Sequence, residues 1–182
     1  GIVVSRAART QGNPEVAFDG VNFLVAWTDS RDSLHTQIYG ARISTDGTLL
    51  DPEGFAISPG PDASFFDGSV LVASNGTVSW VVWQHDANGA TGRDLFGTRI
   101  SHDGAVLDTP PVTISVAAKD QWPTSLVAAH GGFIVVWDDE RNSQASTESD
   151  IYLARLSADG RVLDRDGIAV RAAQRTIEGF GR

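Results

Sequence analysis

One phrase occurs three times in this chain, and that recurrence limits what it can fold into more than any other property. Phe23-Leu24-Val25-Ala26-Trp27-Thr28-Asp29-Ser30-Arg31 leads into Ile38-Tyr39-Gly40-Ala41-Arg42-Ile43-Ser44-Thr45-Asp46-Gly47. Phe133-Ile134-Val135-Val136-Trp137-Asp138-Asp139-Glu140-Arg141 leads into Ile151-Tyr152-Leu153-Ala154-Arg155-Leu156-Ser157-Ala158-Asp159-Gly160. Between them, Trp80-Val81-Val82-Trp83 leads into Leu95-Phe96-Gly97-Thr98-Arg99-Ile100-Ser101-His102-Asp103-Gly104. Trp27, Trp83 and Trp137 are 56 and 54 residues apart, and Gly47, Gly104 and Gly160 are 57 and 56 apart. A matching Leu-Asp tail follows each: Leu50-Asp51, Leu107-Asp108 and Leu163-Asp164. Self-similarity at a fixed long period is the mark of a repeat architecture.

Each unit holds four strand candidates. The first runs into a turn: Glu15 to Phe18 before Asp19-Gly20, Val70 to Ala73 before Asn75-Gly76, and Leu126 to Ala129 before Gly131-Gly132. Asp-Gly and Asn-Gly between apolar runs are hairpin signals, because both central residues of the tight turn need positive φ. The second strand ends at the Trp. The third is the Ile-Tyr or Leu-Phe segment, and a second Asp-Gly turn precedes the fourth. Four antiparallel strands per repeat predict an all-β chain of β-propeller blades. The alternatives are a β-sandwich, which does not explain the long-period identity, and a β-solenoid, whose coil is normally shorter. The blades are expected at about 14–58, 68–115 and 123–171, with a lead-in strand at 1–5 and a tail at 172–182. Gly1 to Ser5 matches the fourth-strand segments Gly54 to Ser58 and Gly167 to Arg171.

Charge narrows the partners. The net charge of −9 argues against nucleic acid or an anionic membrane surface, which reward clustered Lys and Arg. No apolar run is long enough to be a membrane span. The absence of Cys excludes disulfides, thiolate metal sites and a Cys nucleophile, and fits an exported bacterial protein. With no Met at position 1, the chain reads as a processed or excised piece.

The propeller reading puts the short Gly turns on one face. On the other lie the long loops Asp29–Gln37, Gln84–Asp94 and Asp138–Asp150 and the crossovers near Pro59–Asp62 and Val116–Trp122. Long polar loops on a rigid scaffold are where function is expected. The candidate ligand-binding residues are His35, His85, Asp86, Trp122, Asp139 and Arg141. Trp122 is unrepeated and suits stacking on a sugar ring, with filling a gap between blades as its bland alternative. Asp29 and Arg31 read as a clasp that pins a loop, in company with Arg42, Arg99 and Arg155, because a framework device repeats with the framework. His85 breaks that framework. Trp27, Trp83 and Trp137 are read as core. His102 and His130 fall on the short-turn face. Asn75-Gly76-Thr77 matches the N-glycosylation pattern but is also the expected turn.

No catalytic motif is present: no Gly-x-Ser-x-Gly, Ser-x-x-Lys or dinucleotide signature. Carboxylates from different blades could still pair as in glycosidases. No His spacing specifies zinc, and no cofactor is indicated. The acidic loop Asp138, Asp139, Glu140, Glu148 and Asp150 has the oxygen donors that Ca²⁺ takes, without the Asp-x-Asp-x-Asp-Gly pattern of an EF-hand. These residue types alone specify no particular metal.

The combined phrase Phe-x-Val-x-Trp-x-Asp-x-Arg, Ile-Tyr-x-Ala-Arg-Ile/Leu-Ser-x-Asp-Gly and x-Leu-Asp resembles a repeat of large bacterial extracellular proteins predicted to be β-propellers. The resemblance covers about Pro14 to Arg171. It implies a secreted or cell-surface module for binding or assembly, with a carbohydrate or a protein as ligand. Part of a secreted hydrolase, or a plain scaffold, are the alternatives. Three blades are fewer than the roughly four to eight of a closed propeller. Completion is therefore expected from another chain or a second copy, and the surplus strand at 1–5 favours another chain, because it would compete with a copy's last strand.

Overall fold

The computed structural model describes residues 1–32, 36–58, 69–86, 92–143 and 148–171. Twelve strands form three four-stranded antiparallel sheets among these residues. Blade 1 contains β1 (Gln11–Phe18), β2 (Asn22–Asp29), β3 (Gln37–Ser44) and β4 (Phe55–Ala56). Blade 2 contains β5 (Val70–Ser74), β6 (Ser79–His85), β7 (Asp94–Ile100) and β8 (Val112–Ser115). Blade 3 contains β9 (Gln121–Ala129), β10 (Gly132–Asp139), β11 (Asp150–Leu156) and β12 (Ile168–Arg171). In every sheet the strands lie in chain order. The first strands β1, β5 and β9 pack against one another in series, so they form the inner line of the arc.

Register follows from the turns. Asp19 Oδ1 accepts from the amides of Val21 and Asn22, and Asn75 Oδ1 from those of Thr77 and Val78. These side-chain caps pin the first hairpins of blades 1 and 2. Asn75 Nδ2 in turn donates to Gly131 O of blade 3 at 3.1 Å, so the amide nitrogen of the Asn-Gly-Thr motif is engaged between blades. In the second hairpins Ser44, Ser101 and Ser157 each donate to Asp46, Asp103 and Asp159. Pro14 and Pro123 sit in inner strands without breaking them, because the register shifts between Gly12 and Glu15 and opposite Trp137.

A strand alternates its side chains between two faces, and here each face meets a different neighbour. The face turned toward the next blade carries Leu24, Ala26, Ile38 and Ile57 in blade 1, and Trp80, Val82, Leu95 and Ile114 in blade 2. The opposite face carries Val72, Val81 and Ile100 in blade 2, and Leu126, Phe133, Val135 and Leu156 in blade 3. Two apolar interfaces result, each made of one forward and one rear face. Blade 2 lies between them, and β6 is buried at every position but its last.

A second device crosses the same interfaces. Arg42 makes a fork to Asp51 and sends Nη1 to the carbonyl of His102 at 3.1 Å. Arg99 makes the same fork to Asp108 and sends Nη1 to the carbonyl of Ala158 at 3.0 Å. Each arginine thus ties its own fourth-strand tail to the second hairpin of the next blade. Trp80 adds a bond from Nε1 to Ser157 O at 3.1 Å. The hairpin glycines are needed for closeness: a Cβ on Gly104 or Gly160 would stand 2.9 Å from the arginine of the preceding blade.

Two expectations change. Arg42, Arg99 and Arg155 do not join the Asp29 clasp. They pair with Asp51, Asp108 and Asp164 near the opposite ends of the third strands. Arg42 lies three residues along the strand from Tyr39, roughly 10 Å at 3.3 Å per residue. Gly1–Ser5 forms no strand. Val4 lies near Pro52 and Glu53, and near Trp27, on the rear side of blade 1. Ile114, its counterpart in the repeat, likewise meets Asp166 of blade 3. The segment occupies a fourth strand's place with no third strand to pair with. The tail at 172–182 lies outside the described residues.

Replacing Arg99 by Ala is expected to cost about 2–3 kcal/mol, because it strands Asp108 and an inter-blade carbonyl together. Urea unfolding measures it, and Arg155→Ala should cost much less. Equal losses would mean that the cross-blade bond contributes nothing.

Candidate functional site

The long-loop face is built where each second strand ends. In blades 1 and 3 that end is a closed clasp. Asp29 is buried and accepts from Trp27 Nε1 at 2.8 Å, from the Arg31 amide at 2.9 Å, and from Arg31 Nε and Nη2 at 3.0 and 2.8 Å. Arg31 lies over the Tyr39 ring, 3.8 Å from its centre. Blade 3 repeats this with Trp137, Asp139, Arg141 and Tyr152, the guanidinium 4.1 Å from the ring centre. Burial pushes the Asp29 carboxyl up, but the Arg31 and Trp27 hydrogen bonds outweigh it and hold it below the ordinary value. Gly167 completes the blade 3 clasp at φ +81, where a Cβ would stand 2.3 Å from the Trp137 ring.

Asp139 and Arg141, both candidate ligand residues, therefore stand in the same arrangement as Asp29 and Arg31. Asp139 is 1% exposed. Arg141 also donates from Nη2 to Asp166 O at 2.8 Å. The bonds these two side chains make hold the loop after β10.

Blade 2 keeps the tryptophan, Trp83, and replaces the rest of the clasp. His85 stands where Asp29 and Asp139 stand, Phe96 replaces the tyrosine, and Pro111 replaces the glycine. The His85 and Phe96 rings meet edge to face, 6.0 Å between centres. Asp94, opposite His85 in the β6–β7 pairing, is 1% exposed, and both its carboxylate oxygens lack a hydrogen-bond partner among the described residues. Burial pushes its pKa to about 6, with the charges of Asp86 and Asp166 adding to the shift. His35 lies outside the described residues.

A polar assembly on this face adjoins Trp122. The crossover between β8 and β9 (residues 116–120) is gripped from both sides. On the blade 2 side, the Arg93 amide donates to Asp120 Oδ1 at 2.8 Å, and the Gln121 amide donates to Arg93 O at 2.9 Å. On the blade 3 side, the Glu140 amide donates to Asp120 O at 3.0 Å, and Lys119 Nζ reaches Ser143. Gln121, fully buried, ties the crossover to itself by donating to Lys119 O at 2.7 Å and Ala117 O at 3.3 Å. Lys119 adopts φ +66, a conformation that costs a non-glycine residue energy and is held here by these bonds.

Arg93 then lies over the Trp122 indole, 4.7 Å from the ring centre, and its Nη1 is 3.9 Å from Asp120 Oδ2. Arg93 and Asp120 keep 33% and 32% of their side-chain surface exposed, and Trp122 is half-buried. An aromatic surface, a guanidinium and a carboxylate are thus adjacent and accessible on a braced backbone. The sequence pointed to Trp122 alone of these. Arg93, Lys119 and Asp120 escaped because they meet their partners only where the crossover lies between two blades. The crossover itself repeats, since Gln11 donates to Ala8 O and Arg9 O as Gln121 does to Ala117 O and Lys119 O; the available signal was Asp120 and Trp122, where blade 1 has Thr10 and Gly12. Among the described residues, no three His, Cys, Asp or Glu converge as metal ligands, and no helix is long and apolar enough to cross a membrane.

No family model matches this chain, and no curated protein matches it. Solved structures do. A thermostable family-43 glycoside hydrolase is similar with a TM-score of 0.57 at 17% identity, over 90% of this chain and 55% of that one. A subtype N10 neuraminidase-like protein of A/little yellow-shouldered bat/Guatemala is similar with a TM-score of 0.52 at 13% identity, over 85% of this chain and 42% of that one. At such identities the likeness is one of fold, and it agrees with the blade architecture. The chain spans about half the length of these structures.

Asp94 supplies a pH test. Below pH 3.8 both the folded and unfolded chains hold its proton. Between 3.8 and about 6 only the folded chain does, so stability falls as pH rises through that window and then levels. Asp94→Asn should therefore raise the melting temperature at pH 7.5, by about 1–2 kcal/mol of stability, and leave it unchanged near pH 4. An equal effect at both pH values would contradict a carboxylate destabilised by burial.

Proposed function

We propose that this chain is a carbohydrate-binding part of an extracellular β-propeller, and that the ligand docks on the long-loop face at Trp122, Arg93 and Asp120. The observation that carries this is the Arg93–Trp122 stack beside a half-exposed carboxylate, braced by loops from two blades. Sugars present apolar C–H faces and rings of hydroxyls. The indole suits the first, and the guanidinium and carboxylate together supply donors and acceptors for the second. The anchored crossover lowers the ordering cost of binding. An extracellular setting accords with the absence of Cys and with the resemblance of the repeat.

A hydrolase reading draws on one observation, the raised pKa of Asp94, which suits a general acid. Access weighs against it: at 1% exposure the carboxyl does not meet a substrate. Binding without turnover is the function that the accessible groups support best.

The test is a glycan array probed with the chain and with Trp122→Ala and Arg93→Ala. Binding of a defined glycan class is expected, with each variant losing at least tenfold in affinity while keeping its far-UV spectrum. Undiminished binding by the variants would move the site elsewhere. No glycan bound at any concentration would overturn the proposal.

A further inference from the structure

Both ends of the arc leave a blade face uncovered, and the two faces are complementary. At one end, the positions that bury Ile38 and Leu95 to 2% and 0% leave Ile151 40% exposed in blade 3. The positions of Ile57 and Ile114, at 3% and 0%, leave Val170 58% exposed. At the other end, Val16 is 57% exposed in blade 1, where its counterparts Val72 and Leu126 are each 9% exposed. Phe23 is 39% exposed, where Ser79 and Phe133 are each 1%.

The polar device shows the same asymmetry. Arg42 and Arg99 are each 18% exposed and reach the next blade's hairpin. Arg155 makes the same fork to Asp164 but is 59% exposed, and no contact to another blade extends from it among the described residues. It lines a groove of about 470 Å³ with Ile134, Leu163 and Gly131. In blade 2 the corresponding Trp80 and Arg99 receive Ser157 and Ala158 of blade 3. At the far end, Ser44-Thr45-Asp46-Gly47 is the one second hairpin with no arginine of a preceding blade against it among the described residues.

We infer that the Arg155 groove receives the Ser44–Gly47 hairpin of a second copy of this chain. Blade 3 of one copy and blade 1 of the other form a third interface like the two internal ones. Arg155 Nη1 donates to the carbonyl of Thr45, the counterpart of His102 and Ala158. Ile134, Ile151 and Val170 cover Val16, Phe23 and Val25. The contact is head to tail, so two copies can satisfy both ends at once, giving six blades, within the roughly four to eight that close a propeller. Gly1–Ser5 occupies part of this place: a Cβ on Gly47 would stand 3.2 Å from Ile2, where Arg42 and Arg99 stand against Gly104 and Gly160. The segment pairs with no strand and Ile2 and Val3 are about half exposed, so docking of the second copy displaces it. The inference is independent of what the long-loop face binds.

Sedimentation velocity of the 182-residue chain tests it. The expected particle has twice the 19.3 kDa chain mass. Arg155→Glu disables the groove and Phe23→Glu disables the hairpin side. Each should weaken self-association at least tenfold, with an unchanged circular dichroism spectrum checking the fold. Mixed in equal amounts, the two variants should form a heterodimer, because one intact groove and one intact hairpin face remain. Removal of residues 1–7 should tighten association severalfold. A monomer at 100 µM overturns the inference, and so does a dimer whose two variants fail to complement each other, which would mean like faces pair with like.

Discussion

The arginine on the third strand of blades 1 and 2 holds this structure together in two directions at once. Its fork to the Leu-Asp tail closes a blade on itself, and its remaining nitrogen ties that blade to the hairpin of the next. Arginine suits the position because its planar fork satisfies a carboxylate bidentately and still has a donor pointing elsewhere. The fork is felt by its carboxylate: the Arg42 hydrogen bonds hold Asp51 below the usual carboxylate range, and at the open end of the arc Asp164 is pulled to about 2 by Arg155 in the same way. The apolar faces supply most of the burial, but an apolar face accepts many partners. The arginine-to-carbonyl bond sets which hairpin docks and in what direction.

From that constraint the division of labour between the two ends of the blades follows. The short-turn end carries the hairpins that lock blade to blade, so its sequence repeats closely. The long-loop end has freedom, and there the copies diverge. Blades 1 and 3 keep the Trp–Asp–Arg–Tyr clasp, whereas blade 2 keeps Trp83 but has His85 and Phe96 for the aspartate and tyrosine, and Pro111 for the adjoining glycine. Loss of the arginine alone would leave the buried carboxylate of this clasp without its charged partner. Replacing the aspartate avoids that at His85. It leaves Asp94 buried beside the altered end, which is where the one strongly raised carboxyl of the described residues occurs.

The strands, the turns and the long period were legible because each depends on neighbours in the chain: alternation for strands, Asp-Gly and Asn-Gly for hairpins. The Asp29–Arg31 clasp was legible for the same reason, its members lying two residues apart. The pairing of Arg42 with Asp51 was not, since the tail must first turn back beneath the third strand before the two meet. Trp80 gave no repeat signal, yet it is fully buried and bonds to Ser157 across an interface. Arg93 and Asp120 come together only through a contact between blades. The sequence shows what a blade does to itself, and much less of what one blade does to another.

That distinction leads to the central claim, that blades here are stable because of their neighbours. Amide hydrogen exchange on dilute protein measures it directly. The account predicts slowest exchange in β6 and β7, which are covered on both faces, and faster exchange in β11 and β12. Equal protection of the three blades, or slowest exchange in blade 3, would contradict it.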